Sequence, residues 1–504
     1  MNFSLKNNYQ SYLFMFLITL GLGLFNLFYG EIIPVGNGFG WDGVYYAEMV
    51  KSFDGSFESL HLNNYYAHRF LPSLIVYWLM EISQIPITDL NIIKSFEFVN
   101  LIFILMSTVI WNKISDHFTL SVSARWIGFF ALFVNFFISK QAFYYPVLTD
   151  VTAFFLGLLL LFFNLKKKLI PLVAITFFGS FVWTGFGLYG ALLIFFFSSE
   201  DYPRYLKFHH FDVSKKLNCL FKLWKKIVFI CIVTLITVKI YNELNSSHDF
   251  RKLTGFLVAL PSLGLSLLAL VALLGSKNFV KEILHLCLRR LFSFYSVLAL
   301  CVFLIPHFIA QLITTASSSF PPSLHLTSQF FKWILIEPYY RGKVLLPFIA
   351  QIHYFGPAFV LFFLCWSGFS QHARNLGLGL IGVVFLALFF ILPSEGRFII
   401  PAWPFLVLPL ILHLEDQNKA KPIFFVFSLM SLVFAQFWLK LNFEGWPGPG
   451  HEYDGFNTFP KQLYLYHYGP WMWWGAYLIS LPVIYLIYRI LKSHLFSNKQ
   501  IKKT

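Results

Sequence analysis

The sequence predicts an all-α polytopic membrane protein, and two features of its composition support that fold class. The chain has 504 residues, of which 58% are hydrophobic and only 12% are charged, whereas about a quarter of the residues of a soluble domain are charged. Aromatic residues make up 20% of the chain, which is more apolar surface than a soluble core could bury. A soluble enzyme, a disordered chain and a nucleic-acid-binding protein are therefore disfavoured.

About fourteen stretches approach the roughly 20 apolar residues that a membrane-spanning helix needs. In chain order they are 12–29, 92–111, 126–139, 151–165, 169–182, 185–197, 227–241, 255–275, 291–313, 344–366, 376–392, 398–412, 422–439 and 471–491. The segment 169–197 is divided at Thr184 and Gly185, because a single helix would place its two ends on the wrong sides of the membrane. The first stretch is longer than a signal-peptide core, and no small-residue cleavage pattern follows it, so we interpret it as the first span.

The net charge of +15 is unevenly distributed when the N-terminus is placed in the cytoplasm and the spans alternate. Most Lys and Arg residues then lie inside, including Lys166–Lys168 and the basic loop 199–226, which we interpret as a topology signal in contact with anionic lipids. Most Asp and Glu residues lie outside or in the membrane. This positive-inside pattern predicts a multi-pass integral membrane protein with both termini in the cytoplasm, most simply of a bacterial inner membrane.

The predicted topology makes residues 1–504 one membrane domain with little mass outside the bilayer. Three outer loops stand out, at 31–91, 314–343 and 442–470. None of them is long enough to form a separate catalytic domain. We therefore expect any chemistry to take place in short outer loops and at helix ends, on the periplasmic or lumenal side.

The first outer loop is predicted to contain two interfacial helices. Its apolar residues Trp41, Val44, Tyr45 and Met49 follow helical spacing, which is typical of an amphipathic helix with aromatic rings at the level of the lipid headgroups. The apolar run 70–80 is too short to span a membrane. If it did span, the charge distribution of every later loop would be inverted, so we interpret it as a second interfacial helix.

Four motifs occur in a fixed order between about Gly40 and Pro404. They are Trp41-Asp42-Gly43 followed by Tyr45-Tyr46, then His68-Arg69-Phe70-Leu71-Pro72, then Tyr145-Pro146-Val147-Leu148-Thr149-Asp150, and finally Glu395-Gly396-Arg397 with Pro401 and Pro404. Taken together, the order, the side of the membrane and the number of spans resemble the GT-C class of membrane glycosyltransferases. That class includes the protein O-mannosyltransferases, the lipid A aminoarabinose transferases and the mannosyltransferases of lipid-anchor pathways.

The resemblance implies a reaction and roles for two acidic residues. Members of the class transfer a sugar, with inversion, from a polyprenyl-phosphate donor to a glycan, lipid or protein acceptor at the outer face. Asp42 matches the general base that takes the proton of the acceptor hydroxyl; the alternative is a helix N-cap. Asp150 matches an acid that orients the acceptor or a metal; the alternative is again a cap favoured by the helix dipole.

Cations and aromatic residues complete the candidate site. The donor phosphate is expected to contact Arg397 and Arg69, with His68 as a weaker neighbour and Arg341 and Lys343 as a further outer pair. The alternatives are an interfacial anchor for Arg397 and a stray charge cluster for the outer pair. Trp41, Tyr45 and Tyr46 are expected to line the substrate. A monophosphate donor needs no metal in this arrangement, so neither a metal nor a cofactor is predicted.

Two other functions stay open from the sequence. A transporter or flippase of a lipid or polar solute would suit the number of spans and the intramembrane His307 and His353. Such proteins usually contain paired interrupted helices in two halves, and no such symmetry is visible. A lone histidine beside Pro306 or Tyr354 is more often a core residue, so we place neither histidine in the candidate site. An O-antigen ligase or polymerase would place its dominant outer loop late in the chain, whereas the longest loop here follows the first span.

Overall fold

The computed structural model of the protein describes residues 2–56, 59, 62, 65–197, 261, 263–274, 277–314, 345–392, 396–442, 478 and 480–490. Across these residues the regular secondary structure is helical and contains no strand. The basic loop 199–226 and the predicted span 227–241 lie outside the described residues. The same holds for the outer loops 314–343 and 442–470 apart from their first residues.

The helices of the first part of the chain follow one another with short connections. They are α1 (Asn2–Tyr29), α2 (Asp42–Ser52), α3 (Leu71–Ile82), α4 (Asp89–His117), α5 (Val122–Phe133), α6 (Asp150–Leu165), α7 (Leu169–Gly179) and α8 (Phe186–Phe195). Short 3-10 helices cover Val35–Gly38 and Tyr66–His68 in the first outer loop.

The helices of the second part are shorter on average. They are α9 (Leu263–Leu274), α10 (Lys277–Arg290), α11 (Phe294–Leu312), α12 (Leu346–Phe355), α13 (Pro357–Leu364), α14 (Trp366–Leu376), α15 (Leu378–Phe390), α16 (Trp403–Asp416), α17 (Ala420–Ala435) and α18 (Ser480–Ile490). A 3-10 helix, Gly396–Ala402, leads directly into α16.

Four described helical segments are long and apolar enough to cross a membrane. They are Gln10–Tyr29, Asp89–His117, Phe294–Leu312 and Gly396–Asp416, and the pair Val122–Phe133 and Phe137–Tyr144, bent by 51°, could make a fifth span. A membrane protein is thus supported, but the predicted number of about fourteen spans is not confirmed. Eight further apolar helices in the described part of the chain have 10–17 residues, and the apolar α13 has 8.

Two of the predicted spans are divided by identifiable residues. Within 126–139, the Asn135 side chain donates to the carbonyls of Ala131 and Leu132 and accepts from the Ile138 amide. An amide side chain that takes over backbone hydrogen bonds in this way ends a helix, and the π-helical turn Phe137–Gln141 follows.

The predicted span 344–366 is divided in its middle by a glycine. Gly356 has a φ of +67°, a conformation that ends a helix readily at glycine, and Pro357 then starts the next helix. The apolar run continues through this break, which is why composition alone predicts one span here and the structure contains α12 and α13.

Burial separates inner helices from peripheral ones. The spanning window of Gly396–Asp416 is 78% buried and that of Asp89–His117 is 61% buried, whereas Gln10–Tyr29 and Phe294–Leu312 are 28% and 22% buried. Apolar helices with exposed side chains are what a lipid environment requires. The inner helices α4 and α16 therefore form the centre of the protein, and α1 and α11 lie at its edge.

A close backbone contact fixes the segment that precedes α16. Helix α6 packs against the 3-10 helix Gly396–Ala402, and a Cβ atom at Gly157 would lie only 2.2 Å from the carbonyl oxygen of Pro401. Only glycine allows this approach. The contact positions Arg397, which belongs to the same 3-10 helix.

The start of the first outer loop is tied to the C-terminal part of the chain by Glu31. Its carboxylate accepts from the backbone amides of Leu441 and Asn442 at 2.7 and 3.0 Å and pairs with Lys140 at 3.2 Å. Burial by itself would raise the pKa of Glu31, but these hydrogen bonds and the ion pair hold the pKa below its ordinary value. The contacts of Glu31 thus hold the start of the loop in place.

Candidate functional site

The site centres on an ion pair between the first and last motifs. Asp42 lies in the first turn of α2, and its Oδ2 is 3.0 Å from a terminal guanidinium nitrogen of Arg397. The side chains are 26% and 11% exposed, so the pair is reachable from solvent but mostly enclosed. The sequence predicted each residue separately, and the structure brings them together.

The third motif supports the turn that presents Asp42. Gly40 has a φ of +71°, and a Cβ atom there would lie 2.3 Å from the ring of Tyr145. The Gly43 amide donates to the Tyr145 hydroxyl at 3.1 Å. Contact with Tyr145 therefore requires glycine at position 40 and leaves little room for a side chain at position 43, and it holds the turn that carries the Asp42 carboxylate.

Arg69 of the second motif is buried beside this pair. Its side chain is only 4% exposed, and its guanidinium lies 4.2 Å from the Tyr65 ring centre and 4.8 Å from that of Trp183. It donates to the Thr184 hydroxyl at 3.3 Å and to the Tyr46 hydroxyl at 3.4 Å. Contacts with two aromatic rings and hydrogen bonds from the guanidinium nitrogens hold this cation in one place.

The charges of Arg69, Arg397 and Asp42 act on one another. Burial, the largest single effect, and the charge of Arg397 would lower the pKa of Arg69, but Tyr65, Tyr46 and Asp42 together raise it. Arg69 is therefore a permanent cation. One carboxylate and two guanidinium groups in this region leave an excess of one positive charge, which suits an anion site.

Tyrosine rings line the same region. Tyr45 stacks on Tyr66 with ring centres 4.5 Å apart, and Tyr46 meets Tyr66 edge-on at 5.6 Å. Burial raises the pKa of both Tyr46 and Tyr66, so these phenols stay neutral. Tyr45 is 53% exposed and presents a ring face at the surface, while Tyr46 is buried and Trp41 is partly buried.

The predicted apolar face of α2 is divided between the protein and the surface. Met49 is buried, whereas Val44 and Tyr45 are exposed, and α2 packs on the protein through Tyr46 and Ala47. The reason is Gly43, whose small size lets the opposite side of the helix approach Tyr145 and Val147. The apolar exposed side of α2 thus faces away from the helical core.

His68 has a partner that sequence reasoning placed outside the site. Its ring centre is 4.6 Å from that of His307, on α11. Burial, then the charges of His307 and Arg69, lower the pKa of His68 to about 4. His68 is therefore neutral near pH 7 and is available as a hydrogen-bonding group rather than as a cation for phosphate.

The remaining predicted residues are placed less centrally. Asp150 is 3% exposed in the first turn of α6, three residues after Val147, which packs against Gly43. Arg341 and Lys343 lie outside the described residues. His353 is buried on α12 and packs against Phe434, as expected for a core residue.

Two residues that contact Arg69 were not predicted from the sequence. Trp183 and Thr184 lie in the break between α7 and α8, and the only sequence signal was the change of direction required there. Arg69 and Thr184 are 115 residues apart, and no local pattern reports a contact of that kind.

The described residues contain no group of three or more His, Cys, Asp or Glu side chains that could hold a metal ion. Comparison with family models, with curated proteins and with solved structures finds no match to this chain.

Proposed function

We propose that the protein is a membrane glycosyltransferase that moves a sugar from a polyprenyl-phosphate donor to an acceptor hydroxyl, with inversion. The observation that carries this proposal is that residues of the second, third and fourth motifs gather around Asp42 of the first motif. Asp42 pairs with Arg397, its turn rests on Tyr145, and Arg69 lies in the same electrostatic neighbourhood.

Each group has a task in such a displacement. The acceptor oxygen forms a bond to the anomeric carbon while the bond from that carbon to the phosphate oxygen breaks, and the acceptor proton passes to Asp42. Polyprenyl phosphate leaves with the electron pair of the broken bond. Arg69 and Arg397 stabilise the negative charge that grows on this leaving group.

We place the reaction at the outer face of a membrane. A polyprenyl donor lies in the bilayer, so its phosphate is at headgroup level, where the first outer loop is expected. The exposed ring of Tyr45, stacked on Tyr66, offers a face on which a sugar could lie. About fourteen spans and cytoplasmic termini in a bacterial inner membrane belong to the same proposal, as does the GT-C class.

The proposal is tested by transfer from radiolabelled polyprenyl-phosphate sugars in membranes that contain the protein. Asp42→Asn should lower the rate by about 10²–10⁴-fold, because it removes the proton acceptor. Asp54→Asn is the matched control, since Asp54 lies on the same loop but is exposed, and its hydrogen bonds to other described residues are with Ser56 and Ser59. A well-folded Asp42→Asn protein with wild-type activity would refute the role of Asp42.

A transporter or flippase is the second candidate. The positive excess of Arg69 and Arg397 would bind the phosphate of a lipid that is moved rather than cleaved. Substrate-dependent uptake or lipid translocation in proteoliposomes, without a glycosyl product, would favour this function. In that case Asp42→Asn should leave movement largely intact while Arg69→Gln and Arg397→Gln abolish it.

A further inference from the structure

Helix α10 (Lys277–Arg290) has a side that holds it to the protein. Near its C-terminal end, Arg290 is 6% exposed and donates to the carbonyl oxygen of Phe195, the last residue of α8, at 2.7 Å. The Arg290 carbonyl accepts from the Ser296 hydroxyl at 2.6 Å. Ile283, Leu286 and Cys287, on the same side, are partly buried.

A second side of α10 is apolar and exposed. Val280, Leu284, Leu288 and Leu291 are each between 44% and 62% exposed. At 100° per residue these side chains occupy an arc of about 80°. Four large apolar side chains in one stripe are an unusual feature of a surface in contact with water.

The third side of α10 is polar and also exposed. It carries Lys281, Glu282, His285 and Arg289 and adjoins the apolar stripe. With Lys277 and Arg290, the helix has four basic residues and one acidic residue. The three sides follow one another around the axis as protein contact, apolar stripe and basic stripe.

The place of α10 in the fold explains this order. Only three residues separate it from α11, a candidate membrane span, and Ser293 caps the start of α11 by accepting from the Ser296 amide. The exposed rings of Phe292 and Phe294 lie at the junction. A helix that leads directly into a span lies at the level where the span leaves the hydrocarbon.

We propose that α10 lies in the membrane interface and that its basic side binds the headgroups of anionic phospholipids. The apolar stripe enters the acyl region, as in other interfacial amphipathic helices. Lys281 and Arg289 are positioned beside it, at headgroup depth, where each basic residue favours an anionic surface by about fivefold. This inference does not depend on the proposed transferase activity.

The depth of α10 is tested with the full-length protein in nanodiscs made of phosphatidylcholine and phosphatidylglycerol. In a background without the five native cysteines, a spin label is placed by Leu284→Cys or, as the matched control one residue on, by His285→Cys. The label at 284 should be relaxed by oxygen from the acyl region and the label at 285 by a water-soluble nickel complex. Equal access of both labels to water, or shielding of the label at 284 from both agents by a protein partner, would overturn the proposal.

The preference for anionic lipids is tested by the lipids that copurify or remain bound in native mass spectrometry. Lys281→Gln with Arg289→Gln should reduce the enrichment of phosphatidylglycerol over phosphatidylcholine by about fivefold for each lost charge. Glu282→Gln, on the same face, should raise it. If none of the three substitutions changes the enrichment of phosphatidylglycerol, α10 does not bind these headgroups.

Discussion

At the level of single residues, the two arginines of the site differ in how firmly they are held. Arg69 is enclosed by two aromatic rings and two hydroxyl groups, whereas the Arg397 guanidinium is hydrogen-bonded to the Asp42 carboxylate. An incoming phosphate would compete with that carboxylate for Arg397 and would leave Arg69 in place. Under the transferase proposal, the fixed cation Arg69 would position the donor phosphate, and Arg397 would exchange Asp42 for that phosphate.

The burial of His68 predicts how the free energy of unfolding changes with pH. Its pKa is about 4 in the folded protein and about 6.5 when unfolded, so the unfolded chain binds the extra proton as the pH falls through this window. His68 therefore lowers the free energy of unfolding by about 1.4 kcal/mol per pH unit between these values, and has no effect above them.

The measurement is the unfolding midpoint in detergent between pH 7.5 and pH 4.5. His68→Gln should reduce the acid-induced fall of the midpoint relative to wild type. His285→Gln, at an exposed position, should leave the fall unchanged. Identical pH dependence of the wild-type and His68→Gln proteins would contradict the burial of a neutral histidine.

The site residues that could be predicted from the sequence are those with distinctive chemistry. Residues that belong to the site only through their contacts could not be predicted. Asp42, Arg69 and Arg397 are charged residues in an apolar chain, so each is conspicuous in the sequence. His307 was expected to be a core residue, and no motif in the sequence singled out Trp183. Their roles follow from rings brought within 5 Å by the fold, which a one-dimensional pattern does not contain.

At the level of elements, the predicted helices largely exist but several are shorter than predicted. The breaks at Asn135 and Gly356 depend on one residue each, while the apolar composition continues across them. A window that averages hydropathy therefore merges α12 and α13. The predicted interruption near Thr184 was recognised because membrane sidedness required it, and the structure separates α7 from α8 there.

The contact between α6 and the segment that carries Arg397 gives a second prediction. In Gly157→Ala, the new methyl group would meet the Pro401 carbonyl at 2.2 Å, and backbone on both sides has to move. We expect a loss of about 1–3 kcal/mol in stability. If the transferase proposal is right, activity also falls, because Arg397 is displaced.

Gly21→Ala is the control for this substitution. A Cβ atom at Gly21, in α1, meets nothing within 4 Å, so the change should leave stability unchanged or raise it by up to about 1 kcal/mol. Unfolding midpoints and transferase activity are measured for both variants. A Gly157→Ala protein as stable as wild type would show that α6 does not approach Pro401 so closely.

At the level of the whole molecule, the charge pattern predicts which ends of the helices share a side. Ser83, after α3, and Lys168, before α7, are both exposed, and three predicted spans separate them. In a cysteine-free background, Ser83→Cys should react with a membrane-impermeant maleimide in intact cells, and Lys168→Cys only after the membrane is opened. Labelling of both from outside would refute the alternating topology.

The whole-molecule fold class could be predicted because composition is an average over the chain, and an all-helical apolar protein follows from it. The number of spans could not, since it depends on each local break. Burial supplies what composition lacks: α16 and α1 have similar mean hydropathy, 1.8 in both spanning windows, yet one is central and the other peripheral. Which side of an apolar helix meets protein is decided only by its neighbours.

The Asp42–Arg397 pair also has a consequence for biosynthesis. Its members are 355 residues apart, and ribosomes add about 5–20 residues per second, so Asp42 is made roughly 20–70 s before its partner. During that interval the first loop carries an acidic group without its counter-ion. The ion pair can therefore form only after nearly four fifths of the chain has been translated, and a nascent chain that stops before Arg397 would contain the loop without the pair.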